Sequence, residues 1–237
     1  MEEKEIYLEC EKKWVYQVLI FVAGYYGAFT YCVRGGVFCN AQTANLVLFA
    51  MAVGKARWSD AVYYLIPMAA YVLGAIVSEI LPKPVKNTSK IRWDTLLILV
   101  EIVVVCVLGF IPESAPYQIS QIAVNFICSM QYNTFRQAQG VPMATTFCTN
   151  HVRQFGVWFV NSIKYRGNKK YVNRCLSHLF MLLCFVAGAI ASTVLCRLFL
   201  GKGIWFAVLP LGVLFFDLLY ADLKTEKGQI ERKPHGH

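Results

Sequence analysis

Long apolar segments follow one another along the chain, separated by short polar connections. Each is about 18 to 20 residues long, the length that an α-helix needs to cross roughly 30 Å of hydrocarbon. The pattern therefore predicts an all-α polytopic membrane protein. Spanning helices are expected near residues 14–33, 61–81, 95–112, 118–137, 175–197 and 203–220.

Two further segments are too short or too polar to span a bilayer. Leu46 to Gly54 amounts to about 13 Å of helix, and Val152 to Ile163 contains Arg153 and Asn161. Two arrangements follow. Either each segment belongs to a full helix, which gives eight spans, or each forms a short broken or re-entrant helix, which leaves six spans.

The distribution of lysine and arginine favours the second arrangement. Cytoplasmic loops of membrane proteins are enriched in both residues. With six spans, the basic connection from Lys83 to Arg92 lies on the same side as both chain termini and the basic segment 164–174. With eight spans, it would lie outside. We therefore expect six spans, two short helices and cytoplasmic termini.

The two halves of the chain contain related segments. Residues 71–78 return as 185–192 with five of eight positions identical, and Gly36-Val37 returns as Gly140-Val141. The repeats are expected at about 14–113 and 118–223. Three crossings per half is an odd number, so the copies should be inverted relative to each other, as in many transporters.

A tract of uncharged polar residues follows the Gly-Val pair in each half. Amide and hydroxyl groups can hydrogen-bond a ligand without the cost of burying a charge. Non-helical backbone before a short helix would direct free N–H groups at an anion or small polar solute. Alternatively, these groups only satisfy one another and the backbone between packed helices. The candidate substrate-binding residues are Asn40, Gln42, Thr43, Asn45, Thr145, Thr146, Thr149, Asn150 and His151, and the expected backbone breaks are Gly35, Gly36, Gly140 and Pro142.

Four charged residues have candidate roles near these tracts. Arg34, Arg136 and Arg153 are expected to attract an anion. Glu101 lies seven residues beyond Asp94 in an apolar run, about 10 Å along a helix, and should therefore lie in the hydrocarbon. A carboxyl there is costly and suggests proton coupling. Pairing with a buried arginine, or a structural role as a protonated hydrogen-bond donor, is equally open.

The composition and the absence of certain motifs narrow the functional classes to which the protein can belong. Charged residues make up 16% of the chain, against about 25% in soluble domains. The net charge of +9 is explained by cationic loops facing anionic lipids, so the lipid bilayer is an expected partner and nucleic acid is not. The nine cysteines form no C-x-x-C pair, and no motif of a metalloprotease, α/β-hydrolase or P-loop protein occurs. We expect neither an enzyme, nor a metal site, nor a cofactor.

No separate soluble domain is expected. A cytoplasmic N-terminal segment at 1–13 precedes a single transmembrane domain at 14–223, and a basic flexible tail follows at 224–237.

Several spaced motifs resemble a known family. They are residues 21–25, Phe-Val-Ala-Gly-Tyr, residues 43–48, Thr-Ala-Asn-Leu-Val-Leu, and residues 140–146, Gly-Val-Pro-Met-Ala-Thr-Thr. Over about 15–220 the chain resembles the YoaK-like family of bacterial integral membrane proteins, a domain of unknown function. The resemblance implies a multi-pass protein of the bacterial cytoplasmic (inner) membrane, with no established substrate or reaction.

These observations lead to one hypothesis and one alternative. The hypothesis is a small secondary transporter or channel-like permease for a small anionic or polar solute, built from two inverted repeats, with a homodimer as one form of its assembly. The alternative is a membrane scaffold or accessory subunit that transports nothing. The polar tracts distinguish them, because a transporter must expose them to water from one side at a time.

Overall fold

The structure is a computed structural model that describes residues 7–166, 168–229 and 232–235, without the side chains of 87 and 88. Parts of the expected N-terminal segment, at 1–6, and of the tail, at 230–231 and 236–237, lie outside the described residues.

The described chain is built almost entirely from helices. Nine α-helices follow in order within it: α1 (Lys13–Val33), α2 (Gln42–Gly54), α3 (Trp58–Ile80), α4 (Pro82–Thr88), α5 (Trp93–Leu108), α6 (Tyr117–Thr134), α7 (Thr149–Lys164), α8 (Lys169–Phe199) and α9 (Val208–Tyr220). A 3-10 turn precedes α1 at Glu9–Glu11, a longer one joins α8 to α9 at Leu200–Ala207, and a π-helical turn follows α9 at Ala221–Thr225. Two short antiparallel strands, β1 (Gln137–Ala138) and β2 (Val141–Pro142), lie between α6 and α7.

Three helical stretches are long and apolar enough to cross a membrane: Lys13–Val33, Trp58–Lys86 and Lys169–Thr225, with Gln42–Gly54 as a shorter apolar helix. The expectation of a helical membrane protein is confirmed at this level, and the count of six spans stays a prediction. α5 has only 16 residues. α6 has 18 residues, but glutamine, asparagine and serine interrupt its apolar sequence.

The core is formed around α1, which is buried along most of its length. α1 and α8 approach each other at two glycines. A Cβ added at Gly188 would collide with the backbone carbonyl of Phe21, and one added at Gly24 would collide with the carbonyl of Phe185. α3 and α6 meet in the same way, since Gly74 faces the carbonyl of Phe126. Small residues at these positions bring helix backbones together, the usual basis of helix association in lipid.

One end of the bundle, which we call the terminal end, contains the start of α1 and the turn that follows α9. The Lys13 ammonium donates to Ser177 near the start of α8 at 3.1 Å. The Asn133 amide near the end of α6 donates to Ser78 near the end of α3 at 3.0 Å. The Arg92 backbone N–H, just before α5, donates to Asp222 after α9 at 2.9 Å.

The other end, which we call the opposite end, is held together by Arg34. Its guanidinium follows α1 and pairs with Glu113, beyond α5, at 2.7 Å. The second oxygen of Glu113 accepts a hydrogen bond from the Gly201 N–H, just beyond α8, at 2.7 Å. The carbonyl of Arg34 accepts one from Gln121 on α6 at 2.6 Å.

The Gly188→Ala substitution is expected to lower the free energy of unfolding by about 1–3 kcal/mol, because the new methyl group overpacks the contact with Phe21. The measurement is thermal unfolding of the purified protein in detergent. Gly212→Ala in α9 is the matched control, since an added Cβ there meets no atom within 4 Å and alanine is the better helix former by about 1 kcal/mol. Equal effects of the two substitutions would contradict the tight α1–α8 contact.

Candidate functional site

The first polar tract lies where the chain between α1 and α2 passes through the bundle without helical structure. Asn45 bonds this segment twice: its amide nitrogen donates to the Phe38 carbonyl at 2.7 Å, and its oxygen accepts from the Phe38 N–H at 3.3 Å. The Asn40 amide donates to the Ala23 carbonyl at 2.9 Å, halfway along α1. Gly35 and Gly36 have φ values of 82° and 73°, a left-handed conformation that suits glycine. This tract therefore reaches the middle of α1.

The second polar tract lies between β2 and the start of α7. Thr145, Thr146 and His151 are buried completely. Gly140 has a φ of 73° in the turn between β1 and β2, and Pro142 belongs to β2. Among the other candidates, Gln42 and Asn150 are half-buried, whereas Thr43 and Thr149 are exposed on the outer sides of the first turns of α2 and α7. The buried network thus excludes these two threonines.

Both tracts contact α6, whose buried side carries amide residues that the sequence analysis did not select. The Gln42 amide nitrogen donates to Asn125 at 2.8 Å in the first tract. The Gln131 amide nitrogen donates to the carbonyls of Thr145 at 3.2 Å and Leu19 at 3.4 Å in the second. Asn125 and Gln131 are six residues apart, about 9 Å along the helix. The sequence did contain a sign of this polar side, because five polar residues fall inside one expected span: Ser120, Gln121, Asn125, Ser129 and Gln131.

A histidine pair fixes the start of α7 against α8. His151 Nε2 lies 2.8 Å from the Ala144 carbonyl, and its Nδ1 lies 3.0 Å from Nδ1 of His178. A carbonyl only accepts, so His151 Nε2 carries the proton and its Nδ1 is the acceptor. His178 Nδ1–H is then the donor. The sequence could not show this contact, because the two residues are 27 positions apart on different helices.

Several fully buried polar atoms around α6 have no hydrogen-bond partner among the described residues. They include the side-chain carbonyl oxygens of Gln121 and Gln131 and the hydroxyls of Ser120, Ser129 and Thr145. The amide orientations follow from their contacts, since each NH₂ group faces a backbone carbonyl and only the nitrogen can donate. The hydrogen-bonding groups of the site that remain without a partner are therefore acceptor oxygens and hydroxyls.

Glu101 lies completely buried on α5, beside α1. The Tyr26 hydroxyl is 3.5 Å from one carboxyl oxygen, and the other oxygen has no partner among the described residues. Among the residues that the structure describes, no lysine or arginine lies within ion-pair distance of Glu101. Nearby, the sulfur atoms of Cys39 and Cys128 lie 3.7 Å apart and link the first tract to α6.

A cavity of about 310 Å³ opens beside the second tract. It is lined by the end of α6, β2 and the first residues of α7, including Tyr132, Arg136, Ala144 and Asn150. Of the arginines expected to attract an anion, only Arg136 faces this space, and it also pairs with Glu79 at 3.0 Å. Arg153 donates to Asn150 at 3.1 Å on the exposed side of α7. Arg34 lies at the opposite end, where it pairs with Glu113.

Comparison with known proteins identifies one family. A family model described as a protein of unknown function, DUF1275, matches residues 15–216. No curated protein and no solved structure matches the chain. The match confirms the resemblance drawn from the motifs at 21–25, 43–48 and 140–146.

The Glu113→Gln substitution is expected to lower the free energy of unfolding by about 2 kcal/mol, because it leaves the Arg34 charge buried without its counter-ion. The cost stays below that of a fully buried pair because the Glu113 side chain is 46% exposed. Thermal or denaturant unfolding in detergent measures it. Glu79→Gln removes an ion pair of similar geometry whose carboxylate is 71% exposed, and should cost less than about 1 kcal/mol. A larger loss from Glu79→Gln would contradict the role given to Arg34.

Proposed function

The chain belongs to the DUF1275 family, and we propose that it is a small membrane transporter or permease for a small polar solute. The observation that carries the proposal is the set of fully buried polar atoms around α6 that have no hydrogen-bond partner among the described residues. Unpaired polar groups in a membrane-embedded core are costly, and a polar solute or water molecules passing through the site would satisfy them.

The contacts at the two ends support six crossings. α1, α5 and α8 begin at the terminal end, whereas α3, α6 and α9 finish there. α2 begins near the middle of α1, and α7 runs from the second tract back to the terminal end. Neither short helix needs to cross the bilayer in this arrangement.

Basic residues support the orientation. Cytoplasmic loops are enriched in lysine and arginine, and the terminal end carries most of them. We therefore propose that both termini lie in the cytoplasm. The residues concerned are Lys83, Lys86, Lys90, Arg92, Arg136, Lys164, Arg166, Lys169, Lys170 and Arg174.

The glycine contacts support inverted repeats. Phe21 of α1 and Phe126 of α6 lie at similar distances before the Gly-Val pairs, 15 residues before Gly36 and 14 residues before Gly140. The backbone carbonyl of each phenylalanine closely approaches a glycine on a long helix from the other half of the chain. Gly188 of α8 contacts Phe21, and Gly74 of α3 contacts Phe126. Gly74 and Gly188 are themselves the matching glycines of the repeated segments at 71–78 and 185–192. An exchange of partners of this kind is expected of two copies related by a twofold axis in the membrane plane.

The chemistry of the site favours a neutral or donor-rich solute over an anion. The amide oxygen of Gln131, beside the second tract, would repel an anion, whereas it accepts hydrogen bonds from hydroxyl, amino or amide groups. The hydroxyl of Thr145 can donate or accept as the solute requires. The proposal involves no catalysis and no cofactor.

The conformation described is one that opens toward the terminal end. Arg34, Glu113 and Gln121 close the opposite end with hydrogen bonds of 2.6 to 2.7 Å. The cavity beside Ala144 and Asn150 lies on the other side of the site. A transport cycle then requires the ion pair between Arg34 and Glu113 to open while this cavity closes.

A ligand screen tests the binding site. Amino acids, nucleobases, polyols, carboxylates and inorganic anions are added to the purified protein, and a binder should stabilise the folded state by about 2.7 kcal/mol at a hundredfold excess over its Kd. Thr145→Val keeps the side-chain shape but removes the hydroxyl, so the shift in Tm should be lost. Thr43→Val, on the exposed side of α2, is the control and should keep the shift. A screen without any shift would favour the scaffold alternative, and equal behaviour of the two variants would move the site elsewhere.

Substitution of Glu101 tests proton coupling. In proteoliposomes, Glu101→Gln should leave binding of the solute within about twofold but abolish the dependence of its uptake on an imposed pH gradient, because the amide cannot exchange a proton. The control is Glu79→Gln, which changes an exposed carboxylate. Uptake by Glu101→Gln that still follows the pH gradient would assign the carboxyl a structural role.

A further inference from the structure

A second cavity, of about 200 Å³, lies at the terminal end and shares Arg136 with the cavity beside the second tract. Its walls come from the end of α3, from α4, from the start of α5, from the end of α6 and from the C-terminal tail. Six basic residues line it: Lys83, Lys86, Arg92, Arg136, Arg232 and Lys233.

The charges around this cavity do not balance. Its two acidic residues are already paired, Asp94 with Arg92 at 3.4 Å and Glu79 with Arg136 at 3.0 Å. Of the remaining basic residues, Lys83, Lys86 and Lys233 have no acidic partner in the described ranges 7–166, 168–229 and 232–235. Lys83, Lys86 and Lys233 therefore bring positive charge to the lining that no acidic side chain of the described residues offsets.

Arg92 has a structural role in the wall of this cavity. The residue is buried, and its guanidinium donates to the carbonyls of Arg232 at 3.0 Å and Gln229 at 3.4 Å. These bonds hold the tail against the start of α5, which places Arg232 and Lys233 in the wall of the same cavity as Lys83 and Lys86. Like charges held together in this way repel one another unless an anion lies between them.

We propose that this cavity binds a phosphate group, carried by the headgroup of an anionic phospholipid or by a soluble phosphate compound. Clustered lysines and arginines at the cytoplasmic surface of a membrane protein recognise phosphate in this way. Trp93 lines the same cavity, and its indole N–H donates to Thr134 at 2.9 Å. Tryptophan is typical of the headgroup level of a bilayer, a depth that a lipid phosphate reaches.

Binding of three probes to the full-length protein, in uncharged detergent at fixed ionic strength, tests the proposal. The probes are inorganic phosphate, a short-chain phosphatidylglycerol and the matching phosphatidylcholine. Lys83→Gln combined with Lys86→Gln should weaken binding of the anionic probe about tenfold. Both lysines are exposed, so the fold should be kept, and an unchanged Tm verifies it.

Lys164→Gln combined with Lys169→Gln is the matched control, because it removes two charges from the same end outside the cavity, and it should leave binding unchanged. Binding of phosphatidylglycerol alone assigns the cavity to a lipid headgroup, and binding of inorganic phosphate with similar affinity assigns it to a soluble compound. The proposal is overturned if neither probe binds, if phosphatidylcholine binds as tightly as phosphatidylglycerol, or if the control pair weakens binding equally.

Discussion

The structure depends on one constraint: backbone that is not helical must find its hydrogen bonds inside the protein when no water surrounds it. The chain breaks its helices at 34–41 and 135–148, and side chains supply the missing partners at both places. Asn45 pairs with both backbone groups of Phe38. Tyr16 does the same for Gln137, donating to its carbonyl at 2.7 Å and accepting from its N–H at 2.9 Å. The polar side chains of the core are therefore first of all partners of broken backbone.

On α6, this requirement occupies the side-chain hydrogen-bond donors and leaves acceptors without a partner. The backbone groups that α6 satisfies are carbonyls, those of Arg34 and Thr145, so the glutamine NH₂ groups are occupied and their oxygens are left over. A role of the polar tracts in packing therefore does not exclude a role in binding a solute. The same amide that stabilises the broken segment keeps an unpaired oxygen, which is why the leftover chemistry suits a solute rich in donors.

The sequence predicts some of these features well and misses others for physical reasons. Apolar stretches indicate α1, α3 and α8, because a helix facing lipid needs length and hydrophobicity. The matching glycines at 74 and 188 lie at tight helix contacts. The role of α6 could not be predicted from hydropathy, since Gln121 and Gln131 acquire partners only when two distant loops fold against them. The contact of His151 with His178, and the approach of the tail to Arg92, likewise depend on tertiary packing.

The same constraint limits how the molecule can move. Where water does not reach the site, each lost bond from α6 to a tract leaves a carbonyl unpaired, at about 1–3 kcal/mol. A movement that carries the tracts and α6 together avoids this cost. Motion is cheaper where α1 meets α8 and α3 meets α6, since glycine against a backbone carbonyl presents no side chain that has to be repacked. An alternating-access change built on this fold would accordingly slide along the two glycine contacts and exchange the ion pair of Arg34, while the hydrogen bonds of the site are kept.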